Sequence, residues 1–159
     1  MDWMKQTAEQ LKKGAFLMVG GNPMTIGWGQ FGVLWGKPTF TVYVRESRYT
    51  HQLLEHADTF TVSVPAPGTM SEALAFCGTK SGRDVDKVAA LHASLIPARF
   101  GAQDGFFGCR YHVECRILFR MPMPEELLED ASLVSRYYAA GDTHTMYIGE
   151  ILGVSEDCE

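Results

Sequence analysis

Positive charge is in short supply in this 159-residue chain: 14 lysines and arginines face 19 aspartates and glutamates, a net charge of −5 with histidine neutral. Proteins that grip nucleic acid are ordinarily basic, because contacts to phosphates drive their binding, so nucleic acid is a poor first partner. No apolar run approaches the ~18 residues of a membrane span. The amino-terminal Met1-Asp2-Trp3-Met4-Lys5 has no long apolar stretch behind a basic one, so a cytoplasmic protein without a signal peptide is expected. Cysteines number only four. Without an export signal they read as reduced thiols, not as a disulfide frame. Repeats, low-complexity tracts and linkers are absent as well, which leaves a single domain over residues 1–159. A chain of that length can bury about two-thirds of its unfolded surface and needs no staples.

What is present is period-two alternation. Phe40, Val42 and Val44 share one face and Thr39, Thr41, Tyr43 and Arg45 the other; Phe60, Val62 and Val64 alternate likewise with Thr59, Thr61 and Ser63. Between Tyr111 and Arg120, the stripe Tyr111, Val113, Cys115, Ile117 and Phe119 opposes His112, Glu114, Arg116 and Arg120. Such runs read as antiparallel strands with one face toward a core. Ala15–Val19, Met24–Gly29 and Thr143–Leu152 are further strand candidates. Helices are expected to be few: Tyr49–Ala57, one opened by a capping box at Thr69–Glu72 and ended by Gly78, and one from about Asp84 carrying Val85, Val88, Ala89 and His92. Many strands with few helices predict a mainly β barrel or sandwich with short peripheral helices.

Four segments invite chemistry. Gly27-Trp28-Gly29-Gln30-Phe31-Gly32 spells G-x-G-x-x-G, but Gly36 and Pro38 forbid the helix that a dinucleotide fold opens there. If Met24–Gly29 is a strand, Thr25, Gly27 and Gly29 make a nearly bare face. Such a face suits either a flat ligand or a barrel corner. Arg45-Glu46-Ser47-Arg48-Tyr49-Thr50 joins a strand to a helix start with two guanidiniums and small hydroxyls, a recipe for a terminal phosphate as well as for an ordinary turn. Cys77-Gly78-Thr79-Lys80-Ser81-Gly82-Arg83-Asp84 gathers two cations in a connection that suits an anion or merely links two helices. Cys109, His112 and Cys115 do not make a zinc site, because a strand would send His112 away from both thiols. The carboxylates Glu125, Glu126, Glu129 and Asp130 read as a solvated face.

Taken together, Asn22–Gly29, Arg45–Thr50, Cys77–Asp84 with Lys87, and Asp142-Thr143-His144 before Tyr147–Ile151 resemble the flavin reductase-like, FMN-binding split-barrel proteins, particularly the flavoredoxin-type branch. The resemblance runs from about Gly14 to Gly153. It implies an antiparallel split barrel that dimerises and binds FMN near the subunit interface. It also implies that Thr25, Ile26, Gly27 and Trp28 line the flavin ring, and that Arg45, Ser47, Arg48 and Thr50 hold the phosphate. Cys77, Gly78, Thr79, Ser81 and Arg83, with Lys87 close by, would meet the ring's polar edge or the ribityl chain. Arg83 and Lys80 are candidates to stabilise a reduced ring, and His144 is the candidate catalytic group. NADH or NADPH is the implied electron donor, with a free flavin, a partner protein or another compound as acceptor. Two alternatives stand beside this reading: an electron-transfer protein without its own NAD(P)H site, and a module for another flat phosphorylated ligand such as pyridoxal phosphate.

Overall fold

The computed structural model describes residues 2–157. Its strands are β1 (Ala15–Val19), β2 (Asn22–Ile26), β3 (Gly29–Leu34), β4 (Lys37–Arg45), β5 (Thr59–Val64), β6 (Leu95–Ile96), β7 (Gly105–Phe106), β8 (Tyr111–Pro122) and β9 (His144–Glu156). The helices are α1 (Trp3–Leu11), α2 (Tyr49–Leu54), α3 (Ser71–Thr79), α4 (Lys87–Ala90) and α5 (Ala131–Tyr137), with a 3₁₀ turn at Glu125–Leu127. Seven strands form one antiparallel sheet in the order β2-β1-β5-β8-β9-β4-β3. Its two edge strands, β2 and β3, are separated in sequence only by Gly27 and Trp28. A two-residue link cannot span an open sheet of seven strands, so the sheet curls until its edges approach. The result is a split antiparallel barrel with peripheral helices.

The alternating stripes supply the barrel interior. Phe40, Val42, Val44, Phe60, Val62, Val64, Tyr111, Val113 and Cys115 are all almost wholly buried in one cluster with Leu17, Ile26 and Tyr147. A second cluster lies outside the barrel, where Phe16 and Met18 on the other face of β1 pack on Leu74 and Cys77 of α3, with Phe106 and Cys109. Strand β1 is therefore covered on both sides. Truncating a core aromatic such as Phe60 to alanine ordinarily costs about 3–5 kcal/mol.

Several local expectations need correction. The second strand stops at Ile26, and Gly29 opens β3, which pairs with β4 around a tight Trp35-Gly36 turn. Both turn residues have positive φ (55° and 70°), a hairpin geometry that glycine adopts freely and tryptophan does not, which hid it from the sequence. The capping box does not form: Thr69 donates to the Ala66 carbonyl, Met70 caps α3 in a left-handed conformation, and Gly78 lies inside the helix. The helix expected from Asp84 is only Lys87–Ala90, capped by the Asp86 carboxylate. The faces carrying Thr61, Ser63, His112 and Glu114 are buried too, because the 95–106 excursion covers them.

The cysteines take separate places. Cys109 precedes β8 and its thiol meets the Met70 sulfur at 3.6 Å, whereas Cys115 lies in the barrel core. His112 bonds Ser63 Oγ and Asp157 Oδ2. Cys158 lies outside the described residues.

Candidate functional site

A groove runs past the seam where β2 gives way to β3. It comprises a cationic pocket of about 240 Å³, a central pocket of about 170 Å³ and an aromatic cavity of about 660 Å³. Met24 and Arg48 line both of the first two; Gly27, Trp28, Tyr43 and His144 line both of the last two. The three compartments thus form one continuous feature.

Ser47, Arg48, Tyr49 and Thr50 from the β4–α2 junction meet Thr79, Lys80, Ser81, Gly82, Arg83 and Lys87 in the cationic pocket. Arg83 donates to the Ser47 carbonyl at 3.1 Å and lies over the Tyr49 ring, tying the two segments together. Arg48 donates one long bond of 3.3 Å to the Gly78 carbonyl, leaving other guanidinium protons for a ligand. Lys87 is only 3% exposed, and its ammonium donates to the Pro23 and Cys77 carbonyls at 2.9 and 3.2 Å. Burial pushes its pKa down, and neighbouring Arg48 pushes the same way. A buried cation with three protons and two recorded acceptors retains one donor for an anion. Gly82 is a member that the sequence placed in the segment but did not single out. A Cβ there would collide with Asn22 and Tyr49, so only glycine allows this wall to close.

The central pocket is lined by Met24, Thr25, Ile26, Gly27, Trp28, Val44 and Arg45, among others. Thr25 is fixed by donating to the Leu74 carbonyl at 2.6 Å. Beyond it, His144 at the start of β9 is 7% exposed, and its ring lies 4.8 Å from that of Trp28, tilted by 40°. Trp28 in turn meets Tyr137 edge-on at 5.1 Å. The Tyr138 hydroxyl lies 2.7 Å from His144 Nδ1. Desolvation, reinforced by Arg45, lowers the His144 pKa to about 4, so the ring is neutral at pH 7.

A pH dependence follows, with the unfolded histidine titrating near 6.5 and the folded one near 4. Between these values the unfolded state binds more protons, so acidification drains stability, and the contribution is intact above the window. Melting temperature should fall as pH drops from about 6.5 to about 4, less steeply in His144→Phe than in wild type. Burial lowers His112 as well, so the difference between the two proteins isolates His144. Parallel pH profiles would contradict this assignment.

Three expected roles change. The Cβ directions of Gly27 and Gly29 meet Leu11 of α1, and at Gly29 also Phe40. The bare positions thus serve close packing, while Gly27 still borders the groove. Arg45 donates to the Tyr137 and Asp142 carbonyls at 2.9 and 2.8 Å and lies under the Tyr138 ring, which makes it an anchor for the 137–142 loop. The Cys77 thiol is buried in the second core, where desolvation pushes its pKa up to about 11; only its carbonyl turns toward the site, on Lys87. Ser47 bonds the Asp142 carboxylate through its backbone N–H and hydroxyl. Thr50 Oγ accepts from Asn22. Gly78 packs against Thr25, and Thr79 donates back to the Ala75 carbonyl, as a helix-end hydroxyl does. Lys80 and Arg83, expected at a ring edge, share the pocket of Ser47 and Thr50.

Comparison with known proteins gives the family. An uncharacterized protein of Archaeoglobus fulgidus is 26% identical over 144 residues, covering 88% of this chain and 70% of its own length. Among solved structures, flavoredoxin from Methanosarcina acetivorans superposes with a TM-score of 0.69 at 24% identity, over 91% of this chain and 68% of that one. An FMN-binding protein from Thermus thermophilus, solved with p-hydroxybenzaldehyde bound, superposes with a TM-score of 0.69 at 22% identity, over 91% and 71%. Residues 13–159 match the model of the flavin reductase-like domain, and the chain belongs to that family.

Proposed function

We propose that the chain binds FMN along the groove and acts as a flavin-dependent oxidoreductase. The observation that carries this reading is the polarity of the groove, with a cationic pocket at one end and an aromatic cavity at the other. The residues fit the group. Lys87 and Arg48 have donors to spare for a phosphate monoester, Arg83 and Lys80 add charge, and Gly82 lets the pocket wall close against Asn22 and Tyr49. Thr25, Ile26, Gly27 and Trp28 border the pocket that continues from there. When bound, FMN supplies the hydride and electron chemistry, and the protein's own task is to bind, orient and exclude. Arg45 and Ser47 hold the 137–142 loop, and that loop sets Tyr138 against His144. His144 offers a hydrogen bond beside Trp28.

NADH or NADPH is the proposed donor. The second reading is electron transfer without a nicotinamide site, and it is favoured by the carboxylates Glu125, Glu126, Glu129 and Asp130 on the segment that walls the aromatic end. The absorption spectrum of the purified protein, followed by anaerobic addition of each nucleotide, separates the two. Bleaching of the flavin band supports the reductase. A yellow protein that neither nucleotide bleaches supports the carrier, and a colourless protein that takes up no FMN overturns both.

The chain is further proposed to be a homodimer. Val33 and Trp35 are 79% and 58% exposed on the β3 hairpin, and Trp35 stands 6.2 Å from the ring of Phe119, itself 39% exposed. Leu34 and Met121 are exposed as well, and exposed apolar surface of this kind marks an interface. Sedimentation should report a dimer at micromolar concentration and a monomer for Trp35→Lys; a monomeric wild type would remove the patch from the account.

A further inference from the structure

The segment between β8 and β9 is pinned at its two ends and loose between them. Met123 donates its N–H to the His144 carbonyl at 2.9 Å, just before the segment departs. At the far end Arg45 holds the Tyr137 and Asp142 carbonyls, and Ser47 holds the Asp142 carboxylate. From residue 124 to residue 136, no hydrogen bond or ion pair reaches the rest of the protein among the described residues. Neither the Glu125–Leu127 turn nor α5 has a buried residue. The remaining links are apolar: Leu128, Leu133 and Tyr137 line the aromatic cavity together with Ala8 and Leu11 of α1, and Tyr137 meets Trp28 edge-on.

A segment held in this way opens easily. Helix α5 has seven residues, and a helix that short is marginal once its neighbours are gone. Undocking and melting of α5 therefore go together, as one local opening that costs far less than global unfolding. The aromatic cavity has this segment for a wall, so it exists as a cavity only while the segment is docked. The fastening also reaches the middle of the groove, because Arg45 and Trp28 both line the central pocket. A ligand that favours those two side chains in place favours docking by the same free energy.

We propose that residues 124–137 form a two-state flap latched by Arg45, and that occupancy of the central pocket shifts the flap toward its docked state. The aromatic cavity is then assembled by the ligand that fills the central pocket. Binding along the groove is ordered as a result, with the central pocket filled first and the aromatic cavity second. That the first ligand is FMN rests on the flavoprotein reading; the latch and the opening do not.

Two readouts test this on the full chain. Arg136 is the sole lysine or arginine from residue 121 onward, so tryptic cleavage after it follows the undocked population. Hydrogen exchange of the α5 amides reads the same opening in the uncut protein. Without ligand, those amides should exchange at least roughly a hundredfold faster than the amides of β5 and β8. Arg45→Ala should speed both readouts roughly tenfold or more, the worth of a hydrogen bond from a charged donor, with β5 and β8 unchanged. Ser47→Ala, which leaves Arg45 in place, should speed them by a smaller factor. Saturating FMN should slow both by roughly five- to a hundredfold in wild type and by much less in Arg45→Ala. Exchange in α5 as slow as in β5, or cleavage at one rate in wild type and Arg45→Ala, would overturn the flap. A protein that takes up FMN and is cut no more slowly would overturn its coupling to the central pocket. One that binds no FMN yet opens under the control of Arg45 would overturn the flavoprotein reading and leave the latch standing.

Discussion

Arg48→Ala is expected to weaken FMN binding roughly ten- to hundredfold while changing riboflavin affinity little. Arg48 lines both the cationic and central pockets, and the one hydrogen bond of its guanidinium among the described residues is the long contact to the Gly78 carbonyl. The substitution therefore removes a ligand-directed charge and spares the fold. A hydrogen bond to a charged group is worth about 1.5–3 kcal/mol, which is the stated range of affinity. Riboflavin lacks the phosphate and has nothing to lose there. Equal weakening of both ligands would mean that the phosphate lies elsewhere, and titration of each ligand into wild type and variant decides it.

A large effect on stability should come from Glu114, in a region remote from the groove. Its carboxylate is 2% exposed and accepts from the backbone N–H groups of Arg99, Phe100 and Ala102 at 2.8, 2.9 and 3.1 Å. These bonds clamp the 97–106 strap onto β8. Removing the acceptor leaves three donors without partners, at about 1–3 kcal/mol each where they remain buried. Glu114→Leu should therefore destabilise by roughly 3 kcal/mol or more, a drop in melting temperature on the order of 10 °C for a chain of this size. Glu114→Gln should recover only part, since its amide turns a donor toward donors. FMN affinity of the folded variants should stay near wild type, because no strap residue lines the groove compartments. Thermal unfolding within 2 °C of wild type, on the scale of roughly 1 kcal/mol or less, would contradict the clamp.

The strands that build the barrel were legible because their stripes are simple: Phe40–Val44 and Phe60–Val64 alternate without interruption, and the core sits on the expected face. The β3 hairpin was not, because its strand begins at a glycine and its turn puts Trp35 at positive φ. Nor was burial of both faces of β5 and β8 legible: Thr61, Ser63 and Glu114 look like solvent-facing residues until a strap some 40 positions away covers Thr61. In the site, the structure brings together segments that the sequence singled out, but it occupies some of their side chains with partners inside the protein. Arg45 and Cys77 carry residue types that suit a ligand, yet one is spent on two carbonyls and the other points into the core. Which face of a short helix or strand end meets the groove depends on packing that no local pattern encodes. Lys87 is the converse case: the resemblance named it for the site, but its burial on the Pro23 and Cys77 carbonyls is nothing that a local pattern shows. Tyr138, Tyr137 and Leu133 escaped attention because the acidic residues around them read as a solvated surface.

The central claim, a flavin phosphate site at Arg48 and Lys87, is tested most directly by titrating the ligand-free protein with FMN, riboflavin and pyridoxal phosphate and following flavin fluorescence or heat. Saturable binding of one FMN per chain is expected, with riboflavin at least roughly tenfold weaker for want of the phosphate. Pyridoxal phosphate should also be weaker than FMN, because it fills the cationic pocket and leaves the central one empty. A protein that binds riboflavin as tightly as FMN, prefers pyridoxal phosphate, or binds none of the three would contradict it.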